Sequence, residues 1–205
     1  MKTLKLLFLS FLIISLSSCS DDDEPLLDVV SNKVINFHAP QAGGMGQPIT
    51  GEFAKFSFAT GVQSSSSTEW DIGFRGTTII VNGGTATGTA DEPTRNGQGG
   101  AYVASGTMAS VLDVDTTKFK QDASSALAIT TGSGNGWYTY NGQSHVISPT
   151  PGKILVFKTH DGLYAKIEIL SYYKDSPASP NAFTDPSRYY TFNYIYQPNK
   201  GQTSF

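Results

Sequence analysis

The chain has 205 residues, a formal net charge of −3, only 15% charged residues and a single cysteine. One cysteine excludes an intrachain disulfide and a cysteine-based metal site, and the absence of a basic cluster argues against nucleic acid as a partner. The content of 21 glycines, 12 phenylalanines and 10 tyrosines is typical of a β-rich domain, because aromatic rings pack on pleated surfaces and glycines form turns.

The first segment has the anatomy of a bacterial lipoprotein signal. Lys2 and Lys5 precede the apolar residues 6–16, a stretch too short to span a membrane, and the sole cysteine follows at Cys19. We therefore expect residues 1–18 to be a signal peptide and Cys19 to be lipidated. Two or more acyl chains on that residue would tether the protein to a membrane without spanning it.

Residues 19–32 predict a lipidated N-terminal tether that lifts the domain off the lipid, because its acidic residues and Pro25 offer little to bury. The acidic run at residues 21–24 is similar to the signal that Bacteroidetes lipoproteins use to reach the outer face of the outer membrane, which predicts a cell-surface location. A solvated acidic linker is the alternative interpretation of this run.

The next strand patterns lie at residues 33–37 and 52–58. In the second, Phe56 and Phe58 alternate with polar residues, so one face of the strand is expected to pack on a core. Residues 70–75 alternate in the same way, and residues 77–81 are read as the continuation of that strand.

The middle of the chain is more polar. Residues 99–104 and 108–114 predict two short strands, and residues 115–128 predict the one short helix. Glycine-rich residues 83–100 and 132–136 are expected to be loops.

The C-terminal third has the clearest pattern. Residues 153–159 and 163–173 flank an Asp-Gly turn, the strongest local signal of a β-hairpin. The last strand, residues 188–197, carries an aromatic side chain at every second position, namely Tyr190, Phe192, Tyr194 and Tyr196. These patterns predict an all-β fold of antiparallel sheets with long loops and at most one or two short helices, in a single domain spanning residues 33–205.

Several short motifs of this chain resemble the HmuY family of Bacteroidetes haem-binding lipoproteins. The matching motifs, in chain order, are Trp70-Asp71-Ile72-Gly73-Phe74, Gly99-Gly100-Ala101, Gly136-Trp137, Pro151-Gly152-Lys153, Asp161-Gly162-Leu163-Tyr164 and Tyr190-Thr191-Phe192. The resemblance covers about residues 30–198. It implies a right-hand-like fold of antiparallel sheets that grips one haem.

The resemblance also implies a function. Family members act as haemophores, which are surface lipoproteins that take up haem and pass it to a TonB-dependent outer-membrane transporter without catalysing a reaction. Their iron is held by two axial His or Met side chains. One of these positions matches Gly142 here, and the other lies in the segment matching residues 118–135, which contains neither His nor Met.

The candidate iron ligands therefore come from nearby positions. His145 lies three residues from the expected position, and neutral imidazole is a good iron ligand. Met45 and Met108 could also bind iron through their thioether sulfur. Both are weaker candidates: Met45 lies in a glycine-rich loop, and Met108 is also expected to pack in a strand core. His160 is read as a turn residue and His38 as a surface residue.

Aromatic residues near His145 are further candidates for the haem cleft. Trp137, Tyr138 and Tyr140 could stack on a porphyrin, and a tyrosine can itself be an axial ligand, but packing in a β core explains the same rings. Arg75 or Lys153 could pair with the haem propionates.

The sequence contains no nucleophile elbow, zinc-protease motif, phosphate-binding loop or dinucleotide-binding glycine pattern, so we expect a binding protein and not an enzyme. The alternative function is a surface binding or adhesion module on the same scaffold. It would recognise another porphyrin, a protein or a glycan without haem ligation.

Overall fold

Antiparallel strands account for all the regular structure in the computed structural model, which describes residues 25–205. The signal peptide, Cys19 and the acidic run lie outside the described residues. The strands are β1 Val30–His38, β2 Ala42–Gly44, β3 Gln47–Thr50, β4 Ala54–Ser57, β5 Val62–Gln63, β6 Ile72–Arg75, β7 Thr78–Val81, β8 Gly100–Ser105, β9 Tyr138–Tyr140, β10 Ile147–Pro149, β11 Lys153–Lys158, β12 Tyr164–Tyr173 and β13 Ser187–Gln197.

The strands form two main sheets and two small hairpins. The larger sheet has the order β1-β13-β12-β11-β8, and the smaller one has the order β5-β4-β6-β7. The hairpins are β2-β3 and β9-β10. The prediction of an all-β antiparallel fold is confirmed.

Aromatic side chains from the two sheets meet in the main core. Every second residue of β13 points toward the smaller sheet, and Tyr190, Phe192 and Tyr194 are at most 2% exposed. Phe192 packs edge-on against Phe56 with ring centroids 5.4 Å apart, and Tyr190 lies 4.7 Å from Phe74. Burial of such rings is the main driving force for joining the sheets.

Long loops cover the outer faces of both sheets. On the larger sheet Ile154, Val156 and Tyr102 pack with Met108 and Phe205. On the smaller sheet Phe53, Trp70 and Ile80 pack with Leu127. Both sheets are therefore apolar on two faces.

Several local expectations were wrong. Residues 115–128 contain turns and isolated bridges in place of the predicted helix, and residues 108–114 contain a turn at 108–110 and one isolated bridge at Asp113 in place of a strand. The expected single strand at 70–81 is a hairpin that turns at Gly76 and Thr77, and β1 begins at Val30, inside the predicted tether. These segments satisfy their polar groups through tertiary contacts, which local patterns do not encode.

The side chain of Lys166 shows the effect of the outer layer. Its alternation in β12 predicts a solvent-facing residue, yet it is 1% exposed. Its Nζ donates to the carbonyl oxygens of Met108 and Val111 at 2.8 and 2.6 Å and lies over the ring of Phe205. Burial lowers the pKa of Lys166.

Candidate ligand-binding site

The β9-β10 hairpin holds the principal ligand candidate. The side-chain Oδ1 of Asn141 accepts hydrogen bonds from the amides of Gln143 and Ser144 at 2.9 and 3.1 Å, and the amide of Asn141 donates to Val146 O. This compact turn holds His145 in the left-handed region, with φ of 58°, and leaves its side chain exposed. A non-glycine residue in this region is uncommon and is often found at a functional site.

Three side chains form what we call the aromatic cluster: Tyr140, His145 and Phe183. The Tyr140 hydroxyl and His145 Nδ1 are hydrogen-bonded at 2.5 Å, and the ring of Phe183 stands edge-on to the imidazole with centroids 5.5 Å apart. Tyr140 is 45% exposed and Phe183 is 77% exposed. Two such rings beside an imidazole form an apolar surface that solvates poorly.

The hydrogen bond to Tyr140 occupies Nδ1 of His145, so Nε2 is the nitrogen that faces a potential ligand. When Nδ1 carries the proton and donates to the phenol oxygen, Nε2 keeps an unshared electron pair. In this tautomer His145 can bind a metal through Nε2 while Tyr140 orients the ring. The aromatic cluster can therefore combine stacking with coordination.

The loop that carries Phe183 connects β12 to β13 and is tied to β1. Asn36 donates from Nδ2 to Asp175 Oδ1 at 2.7 Å, and the amide of Asp175 donates back to Asn36 Oδ1 at 2.7 Å. Asn36, Asp175, Ser176 and Arg188 all have positive φ values, as does His145. Within residues 25–205, five of the seven non-glycine residues with this conformation thus belong to strands and loops around one end of the larger sheet.

Buried side chains support the hairpin from below. Trp137 is 2% exposed and donates from Nε1 to Thr77 O at 3.0 Å, and its ring lies against those of Tyr172 and Tyr190. It therefore offers no open face to a ligand, in agreement with the core-packing interpretation of this ring. Tyr138 is half-buried against Trp137, and burial raises the pKa of Tyr172 to about 12.

The remaining ligand candidates lie away from the aromatic cluster or have structural contacts. Met108 packs in the outer layer of the larger sheet, in agreement with the core interpretation, and Met45 is fully exposed at the tip of the β2-β3 hairpin. His38 stacks on Tyr189 with centroids 4.4 Å apart. His160 binds the buried carboxylate of Asp71, and Arg75 is buried with its guanidinium bound to Gly51 O, Ala90 O and Thr89.

The segment 118–135 approaches the hairpin from the other side. Ser133 Oγ accepts a hydrogen bond from the amide of Tyr140 at 2.8 Å, and the amide of Gly134 donates to Tyr138 O. This contact places the segment next to the aromatic cluster. Its side chains there are hydroxyls and amides, so His145 and Tyr140 are the side chains of the aromatic cluster that could bind a metal.

Sequence reasoning missed Phe183. Its loop has prolines at 177, 180 and 186 and reads as a plain connection. The signal available in the sequence was the presence of a large apolar side chain, that of Phe183, in a loop without an alternating apolar pattern. Only the fold shows that Phe183 contacts His145, which is distant in the chain.

The larger cavities lie elsewhere. One of about 390 Å³ lies beside β5, lined by serines, Glu69 and His160, and two of about 310 and 300 Å³ surround Phe53 on the smaller sheet, both with Glu92 in their lining. A smaller depression of about 190 Å³ lies between β10, β12 and the loop of Phe183, where Leu170 and three prolines line it. A porphyrin needs an apolar face next to a metal-binding side chain, and the aromatic cluster provides both.

The fold and this surface define a β-sheet binding protein with its candidate site on loops. The sequence model of the HmuY protein family matches residues 50–194. The chain therefore belongs to the HmuY family and is a HmuY-type binding protein. No curated protein matches the chain.

One solved structure supports the fold, and two others are also similar to this chain. A Tannerella forsythia protein described as an apo HmuY analog superimposes with a TM-score of 0.53 at 13% identity, covering 85% of this chain and 99% of that one. A HmuY-like heme binding protein from Bacteroides vulgatus gives a TM-score of 0.46 at 13% identity, covering 85% and 97%. A Bacteroides fragilis lipoprotein gives 0.45 at 13% identity, covering 85% and 94%. Within residues 25–205 there is no helix long and apolar enough to cross a membrane.

Proposed function

We propose that this protein binds haem at the aromatic cluster, with His145 Nε2 as an axial iron ligand. The observation that carries the proposal is the exposed imidazole, hydrogen-bonded to Tyr140 through Nδ1 and flanked by the ring of Phe183. Porphyrin is a large flat apolar ligand, so exposed rings can gain burial when it binds. Family membership supports the same class of cargo.

The wider role follows from the proposed anchor and cargo. A lipid chain on Cys19 would hold the protein at the outer membrane, where it would collect haem and deliver it unchanged to a TonB-dependent transporter. Coordination from one side of an open surface suits delivery, because the second face of the haem stays accessible to a receiving protein.

Hemin titration of the purified protein tests the site. We expect a saturable Soret band with one-to-one stoichiometry in the wild type. His145→Ala should shift that band and weaken binding at least tenfold, because the metal bond is lost. Phe183→Ala should weaken binding about three- to tenfold, a typical cost for a lost aromatic contact, without moving the band.

Two variants serve as controls. Tyr140→Phe keeps the ring but removes the hydroxyl, so it should retain the band with a smaller loss of affinity. His160→Asn removes a histidine elsewhere while keeping a side-chain donor for Asp71, so it should titrate like the wild type. If His145→Ala also titrates like the wild type, the proposed ligation is wrong. Broad free-hemin absorbance in every variant would favour the alternative binding or adhesion module.

The delivery role needs a cellular measurement. A strain lacking this protein should grow poorly when haem at low concentration is the only iron source. The wild-type gene should restore growth and the His145→Ala gene should not. Equal rescue by both genes at equal surface levels would contradict the role of the site in haem uptake.

A further inference from the structure

The residues just before β1 form an exposed apolar surface. Leu26 and Leu27 are 68% and 65% exposed, and Val29 and Val30 are 38% and 39% exposed. We call residues 26–30 the N-terminal apolar segment. Single exposed leucines are ordinary, but here four of five consecutive residues have exposed apolar side chains, a concentration that marks a candidate interaction surface.

This segment has a fixed position on the domain. The side chain of Asn199 forms two hydrogen bonds with the backbone of Leu27. Its Oδ1 accepts from the amide at 2.8 Å, and its Nδ2 donates to the carbonyl oxygen at 2.8 Å. Asn199 is itself held by Gln197 Oε1, which accepts from both its amide and its side chain. The buried side chain of Gln197 also donates to Ser204 O at 2.7 Å. The segment is thus attached to the end of β13.

The proposed lipid anchor lies close to this attachment. Only eight peptide units separate Cys19 from Leu27. A fully extended chain covers at most about 3.6 Å per residue, so Leu27 cannot lie more than about 29 Å from the lipidated residue. The end of the domain that carries Leu27 is therefore within reach of the lipid headgroups.

The strand register places the aromatic cluster at the opposite end. Val30 pairs with Tyr196, whereas His38 at the other end of β1 pairs with Tyr189. The loop of Phe183 leaves β12 at Tyr173, which pairs with Ser187, and the Tyr173 hydroxyl accepts the amide of Ile147 in β10. β1 has nine residues, or about 30 Å of strand.

We propose that the N-terminal apolar segment contacts the lipid surface of the membrane that anchors the protein, and that the larger sheet directs the aromatic cluster away from it. Leu26 and Leu27 then insert among the headgroups, where apolar side chains next to an acyl anchor add to membrane binding. The exposed Lys200, adjacent to Asn199, faces the phosphates. This inference rests on the lipid anchor in the proposed function and does not depend on haem binding.

The charge of the segment determines which lipid is the appropriate probe. Asp28 is exposed within the segment, and the acidic run precedes it, so a strongly anionic surface would repel this region. Vesicles of phosphatidylcholine and phosphatidylethanolamine are therefore the appropriate probe.

The competing occupant of this surface is a second copy of the chain, because β1 is an edge strand of the larger sheet.

Fluorescence quenching by brominated lipids tests the orientation. The lipidated full-length protein is placed in these vesicles with a single label at Leu26→Cys or at Ser179→Cys. Ser179 is an exposed residue of the loop that carries Phe183. The acylated Cys19 does not react, so each label is unique. We expect quenching to be at least threefold stronger at position 26 than at position 179.

Asn199→Ala provides the matched variant. It removes both hydrogen bonds to the Leu27 backbone and leaves the lipid anchor intact, so the difference in quenching between positions 26 and 179 should shrink. Equal quenching at both positions in the otherwise wild-type chain, or stronger quenching at 179, would overturn the proposal. So would a concentration-dependent dimer that protects position 26 from quenching. Hemin titration of detergent-released protein runs separately, so failure of this orientation can be told apart from failure of haem binding.

Discussion

Asp71 joins the smaller sheet to the turn between β11 and β12. Its Oδ2 accepts the amide of Phe58 at 2.7 Å, and its Oδ1 accepts both the amide and Nδ1 of His160 at 3.1 and 2.7 Å. Asp71 is 2% exposed, so its charge depends on these donors. The hydrogen bond to Asp71 raises the pKa of His160, with burial acting in the opposite direction.

This contact predicts a pH dependence of stability. A histidine whose pKa is raised by folding stabilises the native state fully below its unfolded pKa of about 6.5, and the contribution is lost as pH rises through the higher folded pKa. The free energy of unfolding should therefore fall by about 0.5–1.5 kcal/mol between pH 6 and pH 8.5, the usual range for one hydrogen bond.

Urea denaturation at the two pH values measures the difference. His160→Asn retains a donor that does not titrate, so its stability should change less over this range. An identical pH dependence in wild type and variant would show that His160 is not responsible.

At the residue scale, the sequence indicated where certain side chains lie, in a loop or in a turn, but not which residues they contact. His145 lies in the exposed loop expected for it, and its ring contacts Phe183, a partner that no local pattern indicates. His160 was read as a turn residue, which it is, but its bond to Asp71 depends on a strand far away in the chain.

A single carboxylate organises the long loop between β7 and β8. Glu92 accepts hydrogen bonds from the Thr87 amide at 3.0 Å and from the hydroxyls of Thr87 and Thr89, and it pairs with Arg95 at 2.8 Å. Arg95 also reaches the buried Asp122 at 3.1 Å. Burial alone would raise the pKa of Glu92, but the hydrogen bonds and the charge of Arg95 lower it to about 2.

Glu92→Gln should loosen this loop. The variant keeps the shape but loses the charge and places amide hydrogens against existing donors, so the free energy of unfolding at pH 7 should fall by about 1–3 kcal/mol. Because the folded pKa lies below the usual value, the contribution of Glu92 is present above about pH 4.5 and is lost as pH falls toward 2.

Denaturation of both proteins at pH 7 and pH 3 checks this expectation, since the difference between them should shrink at pH 3. Glu52→Gln, a change at an exposed carboxylate, is the control and should have little effect. A difference that persists unchanged at pH 3 would assign the effect to something other than the charge.

At the element scale, strands with strong alternation were predictable, and loops were not. β11, β12 and β13 lie where the alternating pattern and the Asp-Gly turn predict them. Residues 115–128 read as a helix by composition, but Asp122 accepts the amides of Val81 and Ala128 and holds the segment against β7. Burial raises the pKa of Asp122.

The contact between the two sheets determines the stability of the whole molecule. Phe192 is fully buried, touches Phe56 and Phe74 across the interface, and packs against Phe37 of the neighbouring strand β1. Truncating such a ring removes buried area and leaves a cavity. The burial of each of these aromatic rings therefore depends on rings from strands that are distant in the sequence.

Phe192→Ala should lower the free energy of unfolding by about 3–5 kcal/mol, a large share of the about 5–15 kcal/mol typical of a domain. Phe192→Leu preserves most of the volume and should cost less than half as much. Near-ultraviolet circular dichroism and urea denaturation provide the measurements. A loss below 1 kcal/mol for the alanine variant would show that the sheets do not depend on this contact.

At the scale of the molecule, sequence patterns alone determined that the chain forms antiparallel sheets, because side-chain alternation and turn residues are local properties of a strand. The short motifs in their order were enough to indicate the family. The tertiary structure decided which residues share a surface: it buried Trp137, covered Lys166 and brought Phe183 to His145. Such contacts depend on how two sheets and their covering loops pack, and packing between distant segments leaves no periodic trace in the sequence.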